Sequence, residues 1–245
     1  MAINSSIDIL NVKVTKIDYL TLLNKIKTAL HQQEQITVTG ANVNFINIAQ
    51  TDKLSFEIFN KIDIIHPDGI GIFLASKFLY SSKGFNKRFT GSDFYHILKN
   101  AAIKERCSFF FFGDKDETLK KISSVHPDMI IAGYHNGFTY ENDELIAMIN
   151  KSKPGILVVG MGSPKQEDWI INSKENLDVK VILAVGDGIK VFSGTKKRGP
   201  KFLRKIGFEW LVRLFFEPKR LWRRYLVGNP LFLIRIFKCK FSKKI

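Results

Sequence analysis

Four short apolar runs constrain this chain more than any other feature: Cys107–Phe112 closed by Gly113, Met129–Ala132, Ile156–Gly160 and Val179–Val185. Each is nearly continuous rather than alternating, and each is too short for an ordinary helix. Strands buried on both faces read this way. Segments with helical spacing lie around them, at residues 91–105, Asp143–Lys151 and Gln166–Glu175. Residues 35–50, QITVTGANVNFINIAQ, add a strand, a loop and a helix. Such alternation predicts an α/β, Rossmann-like fold, a mainly parallel sheet with helices on both faces. After the run Ile62–Ile65 comes His66-Pro67-Asp68-Gly69, where Pro67 disfavours helix at His66 and the glycines permit unusual backbone angles, so a loop is predicted.

The charge is unevenly distributed. The chain carries 38 Lys and Arg against 23 Asp and Glu, a net +15. Thr195–Ile245 holds 16 of the basic residues and 2 of the acidic ones, so the first 194 residues are almost neutral. Ten of those last 51 residues are aromatic. We therefore expect a catalytic body over 1–194 and a basic, helical C-terminal appendage over 195–245. Within the appendage, Trp210, Leu211, Leu214 and Phe215 form an apolar stripe with Arg213 on its flank. Pro218 and Pro230 divide the rest into two expected helices, 218–228 and 230–244.

Three partners suit a basic aromatic segment: a membrane surface, a nucleic acid, or water alone. The large apolar residues interleaved with arginine favour the membrane surface. With 45% hydrophobic residues a disordered chain is excluded. No apolar run reaches the roughly 18 residues of a spanning helix. The opening Met1–Asp8 has no basic patch followed by an apolar core, so no export signal is expected. Cys107 and Cys239, 132 residues apart, read as reduced thiols of a cytosolic protein.

Three polar loops follow expected strands: Thr39-Gly40-Ala41-Asn42, His66-Pro67-Asp68-Gly69, and Gly160-Met161-Gly162-Ser163-Pro164-Lys165-Gln166-Glu167. Ligands of open α/β sheets bind beyond the carboxyl ends of the strands, so these loops outline one cleft. Asp68 is the candidate general base, because a constrained Pro-Asp-Gly turn holds a carboxylate in one geometry. The same turn also suits an aspartate that bonds its own backbone. The third loop could present Gly162 and neighbouring N–H groups to a phosphate at a helix start, with Lys165 and Gln166 as further donors. It could equally be a plain strand-to-helix turn, and it matches neither a dinucleotide fingerprint nor a P-loop. Asp114 and Asp116 have the spacing of a carboxylate pair for a divalent metal, but an acidic helix start is the favoured reading. Thr90 and Asp93 suit either a site or a cap. His66, His126 and His135 share no ligand spacing.

Pro67-Asp68-Gly69-Ile70, Arg88-Phe89-Thr90-Gly91-Ser92-Asp93, GMGSPKQE from Gly160 and VGDGIKVFSGTKKRGPKFLRKIGFEWLVRLFFEPKRLWRRYLVGN from Val185 stand in a specific order. In this the chain resembles the WecG/TagA/CpsF family of bacterial glycosyltransferases over roughly residues 5–240. The resemblance implies transfer of a sugar from a UDP-sugar to a polyprenyl-diphosphate-linked acceptor at the cytoplasmic membrane face. N-acetylmannosamine, delivered with inversion to undecaprenyl-diphosphate-linked N-acetylglucosamine for teichoic acid, is the expected donor sugar. Glucose and N-acetylmannosaminuronic acid are the alternatives within the family, and a nucleic-acid-binding module is the remote one. The implied base is Asp68. Implied substrate contacts are Asn42, Arg88 and Gln166, with Arg213, Arg220 and Arg223 or Arg224 from an appendage that docks on the membrane. Many relatives have threonine where this chain has Gly40, with Thr39 one position early. No metal and no other cofactor is expected, and self-association is common in the family.

Overall fold

The computed structural model describes residues 5–32, 34–196 and 198–242. The opening four residues and the last two of the second expected tail helix lie outside the described residues. An antiparallel hairpin, β1 (Ser6–Ile9) and β2 (Val12–Thr15), precedes the main sheet. That sheet has six parallel strands: β3 (Ile36–Ala41), β4 (Ile64–Pro67), β5 (Phe109–Gly113), β6 (Ile131–His135), β7 (Ile156–Gly160) and β8 (Val181–Ala184). Their order is β4-β3-β8-β7-β5-β6.

The helices are α1 (Tyr19–Gln32), α2 (Val43–Thr51), α3 (Lys53–Phe59), α4 (Ile70–Tyr80), α5 (Gly91–Lys104), α6 (Asp116–Val125), α7 (Asn142–Ser152), α8 (Lys165–Ser173), α9 (Ile189–Phe192), α10 (Lys201–Lys205), α11 (Glu209–Phe216), α12 (Pro218–Trp222) and α13 (Gly228–Ser242). Two apolar layers sandwich the sheet, because strand side chains alternate between faces. Phe110 and Phe112 pack with α2, α3, α4, α7 and α8 on one face, while Phe109 and Phe111 pack with α1, α5, α6 and α9 on the other. All four phenylalanines are fully buried. At about 1.5–3 kcal/mol for each large apolar side chain, this strand alone is a major source of stability.

The α/β expectation holds, and three local readings are corrected. First, the expected loop at His66-Pro67 is the end of strand β4. Asp68 N–H reaches Ala41 O at 2.8 Å, towards β3, whereas Ile65 N–H faces outward to Thr15 Oγ1. Pro67, two residues on from Ile65, therefore has its missing donor on the outer side of an edge strand, where proline is tolerated. Second, β6 starts two residues later than the apolar run Met129–Ala132. It is an edge strand with half-exposed residues, so its composition is not continuously apolar.

Third, Pro230 does not divide the tail. Pro218–Trp222, Arg223–Val227 and Gly228–Ser242 follow one another without a break, and the middle segment is π-helical. The wider turn lies just ahead of Pro230, where an α-helix would otherwise require the proline's absent N–H and press its ring on a carbonyl.

Helix α13 is pinned to the body. Phe232 and Ile236, one turn apart, are 2% exposed and belong to the core layer shared with α2 and α4. Asn47 on α2 donates to Gly228 O at 2.7 Å and accepts from Arg235 at 2.6 Å, while Lys240 Nζ reaches Leu79 O at 2.9 Å. Elsewhere in the tail Phe202, Phe215 and Phe241 are largely exposed. No helix among the described residues is long and apolar enough to cross a membrane.

Candidate active site

All six strands of the main sheet run the same way, so the loops after β3, β4, β5, β7 and β8 open at one edge. The appendage lies over that edge. Asn42 caps α2, its Oδ1 accepting Phe45 N–H at 3.1 Å, and the same oxygen accepts from Arg224 Nη2 at 3.2 Å. Asp68 follows β4 and its Oδ1 accepts the Gly91 N–H at 2.9 Å. Its Oδ2 has no hydrogen-bond partner among the described residues. One oxygen is thus fixed by a backbone amide at the start of α5, and the other is available.

The turn after β8, Gly186-Asp187-Gly188, supplies a carboxylate that the sequence reading did not single out. Asp187 Oδ2 accepts from Arg213 Nη2 at 2.8 Å, and Lys190 Nζ lies 3.1 Å from Oδ1. Arg220 and Lys196 stand further off, at 3.7 and 3.9 Å. Burial opposes ionisation of Asp187, but the charges of Lys196, Arg213 and Lys190 outweigh it and hold the carboxyl below its ordinary range. Lys196, whose side chain is 10% exposed, donates to Ser92 Oγ at 2.8 Å. Its own pKa is pushed down by burial and by Arg213, against the pull of Asp187 and Asp68. The Arg224 guanidinium is likewise disfavoured by burial and by its neighbouring arginines, with Tyr225 and Asp68 opposing. This cluster favours the arrival of negative charge. A cavity of about 360 Å³ beside it is walled by Lys121, Lys190, Lys196 and Arg213 and by the carboxylates of Glu117, Asp187 and Glu217.

The structure separates the expected site residues into groups. Asp68, Asn42, Arg213 and Arg224 lie at the opening, and Arg220 borders them, bonded to Glu217 at 2.5 Å. Arg223 turns outward over the Trp222 ring, which assigns the inward arginine to Arg224. Arg88 is half-buried in the segment leading into α5, and Lys165 is exposed at the first residue of α8. Gly162 has φ +83°, a conformation that favours glycine, and open space where a Cβ would stand.

Thr39 and Gln166 lie behind this surface, 1% and 4% exposed. Thr39 Oγ1 donates to Glu167 at 2.7 Å, and Gln166 Oε1 accepts from the N–H groups of Gly162 and Gly186 at 3.1 and 2.8 Å. Asp114 accepts from Lys115 N–H and Thr118 Oγ1, and Asp116 sits in the first turn of α6, which is a helix-start arrangement. Asp93 pairs with Arg198 at 2.8 Å, and Arg198 also reaches Glu209 on α11 at 3.2 Å. His66 is packed against Phe89, its Nδ1 bonded to Pro67 O.

Asp187, Lys190, Lys196 and Glu167 were missed. The available signal was Gly186-Asp187-Gly188 directly after an apolar strand, the same pattern that drew attention to Asp68.

The family model described as Glycosyl transferase WecG/TagA/CpsF family matches residues 7–245. Over 242 residues the chain is 29% identical to the N-acetylglucosaminyldiphosphoundecaprenol N-acetyl-beta-D-mannosaminyltransferase of Staphylococcus aureus strain MRSA252, covering 96% of this chain and 94% of that protein. Proteins of the same name from strains NCTC 8325 / PS 47 and COL match to the same extent.

Proposed function

The chain belongs to the WecG/TagA/CpsF family of glycosyltransferases, and from that premise we propose that it moves N-acetylmannosamine from a UDP-sugar to an undecaprenyl-diphosphate-linked saccharide, inverting the anomeric centre. The observation that carries this reading is Asp68, with one carboxylate oxygen held by Gly91 N–H beside Arg224 and Asn42. Its other oxygen, which has no hydrogen-bond partner among the described residues, takes the proton of the acceptor hydroxyl as the hydroxyl oxygen bonds to the anomeric carbon. The bond from the same carbon to the donor diphosphate breaks on the opposite face, which inverts the configuration. Negative charge then grows on the leaving UDP, where Arg213, Arg224, Lys190 and Lys196 offset it. Fixed cations in a site of reduced water access do this at little reorganisation cost.

The relatives' name, an N-acetylglucosaminyldiphosphoundecaprenol N-acetyl-beta-D-mannosaminyltransferase, supports both the sugar transferred and the acceptor. Exposed Phe202, Phe215 and Phe241 on a strongly basic segment suit a membrane face that holds such an acceptor. In this reading residues 1–194 carry the catalytic edge, and 195–245 cover it and dock peripherally on the cytoplasmic membrane. The test is UDP release from a panel of UDP-sugars, with and without lipid-diphosphate-linked N-acetylglucosamine. Acceptor-dependent release with UDP-N-acetylmannosamine alone is expected. Release with a different donor would refute the sugar assignment, and silence with every donor would refute the reading.

A further inference from the structure

We propose that Glu167 is a positioning residue that sets the strand-end loops of the site through Gln166, an inference that rests on the transferase reading above. Glu167 lies in the first turn of α8 and is fully out of solvent. Three donors converge on its Oε1: Thr39 Oγ1 from β3 at 2.7 Å, Gln166 Nε2 at 2.8 Å and Ser163 Oγ at 2.9 Å. Its Oε2 has no partner among the described residues. Burial pushes the carboxyl above its ordinary range, with the bonds from Gln166, Thr39 and Ser163 pulling the other way. With three bonds on one oxygen and, among the described residues, none on the other, the group works as one acceptor atom at a fixed place.

Gln166 forms the next link. With its NH₂ committed to Glu167, its carbonyl must face the other way, where it accepts from Gly162 N–H and Gly186 N–H. Gly186 directly precedes Asp187, whose carboxylate receives Arg213 of the appendage. A continuous line of bonds thus runs from β3, through Glu167 and Gln166, to the turn after β8 and on to Arg213. A shift of Glu167 Oε1 frees the Gln166 amide to turn, and both backbone amides then lose their acceptor.

Two substitutions in the full-length chain separate position from charge. Glu167→Gln keeps an oxygen at the convergence point and loses the charge. Glu167→Asp keeps the charge and withdraws the oxygen by one methylene. The assays are kcat and KM for the donor in the transfer reaction, and amide hydrogen exchange at Gly162 and Gly186. Displacing reacting groups by about 1 Å can cost roughly 100-fold in rate. We expect Glu167→Asp to lower kcat by about 10- to 100-fold with a smaller change in KM and faster exchange at Gly186. Glu167→Gln should retain kcat within about threefold and keep the exchange slow. The inference is overturned if Asp performs as well as Gln, if Gln loses as much as Asp, or if neither moves the Gly186 exchange. Should the unaltered chain turn over no donor, the transferase reading fails, while the exchange rates of the two variants still decide the role of Glu167.

Discussion

Asp187→Asn tests whether one carboxylate ties the appendage to the catalytic edge. Asp187 and Arg213 have side chains only 18% and 17% exposed, and their bond is 2.8 Å long. A hydrogen bond to a charged group contributes about 1.5–3 kcal/mol, and the neutral bond that asparagine could retain about 1 kcal/mol. The Lys190 contact at 3.1 Å lies within the body, from α9, and does not change when α11 is released. The net loss is about 1 kcal/mol, or roughly a 5-fold shift towards an α11 released from the body.

Limited trypsin digestion at neutral pH reads that shift, because cleavage at Arg213 and Lys219 follows the population of the open form. We expect cleavage there to accelerate about 5-fold, while sites in the body are cut at the original rate. The pH dependence follows from the depressed carboxyl. Its stabilisation is fully present above the unfolded value of about 3.9 and is lost as pH falls through the lower folded value. The variant and the unaltered chain should therefore differ by a constant amount from pH 5 to 8 and converge below about pH 4. Equal cleavage rates at neutral pH, with equal Tm, would refute the reasoning.

Asp68→Asn should lower kcat by about 10²–10⁴ while UDP affinity stays within a few-fold, because it removes the proton acceptor and leaves the cations; a rate above a tenth of the original would rule out the base assignment. Lys196→Met should weaken UDP binding and lower kcat by roughly 10- to 100-fold, measured by calorimetry and initial rates, and unchanged values of both would remove Lys196 from the site. Deleting the chain after Thr195 should abolish binding to anionic vesicles. It should also lower the Tm, since Phe232 and Ile236 leave the core layer at about 1.5–3 kcal/mol each. Full turnover on the lipid-linked acceptor by that truncated chain would contradict the role given to the appendage.

The parallel sheet was legible because its central strands are buried on both faces and so are written as apolar runs. The less regular parts were not. Four-residue strands such as Ser6–Ile9 carry too few positions to show a period. Helix α4, IGIFLASKFLY, is apolar almost all round and has no amphipathic stripe to reveal it. Pro230 reads as a stop in sequence, and only the register of the helix shows how a π segment absorbs it.

In the site, the local sequence singled out Asp68 in its turn, Asn42 in the loop after β3 and the glycine loop after β7. What sequence could not supply is pairing across the fold. Asn42 meets Arg224 from 182 residues away, Thr39 meets Glu167 from 128, and Asp187 meets Arg213 from 26. Gly40 shows why a departure from the family pattern also needs the structure. In the β3–β4 register Gly40 stands opposite His66. A Cβ on Gly40 would come within 2.7 Å of His66 Cε1 and 3.4 Å of the Asp68 Cβ. The imidazole fills the space that a threonine would claim, and it is held there by Phe89 and by its Nδ1 bond to Pro67 O. Glycine at 40 and histidine at 66 are therefore one structural choice made on two strands, and it sets the wall beside Asp68.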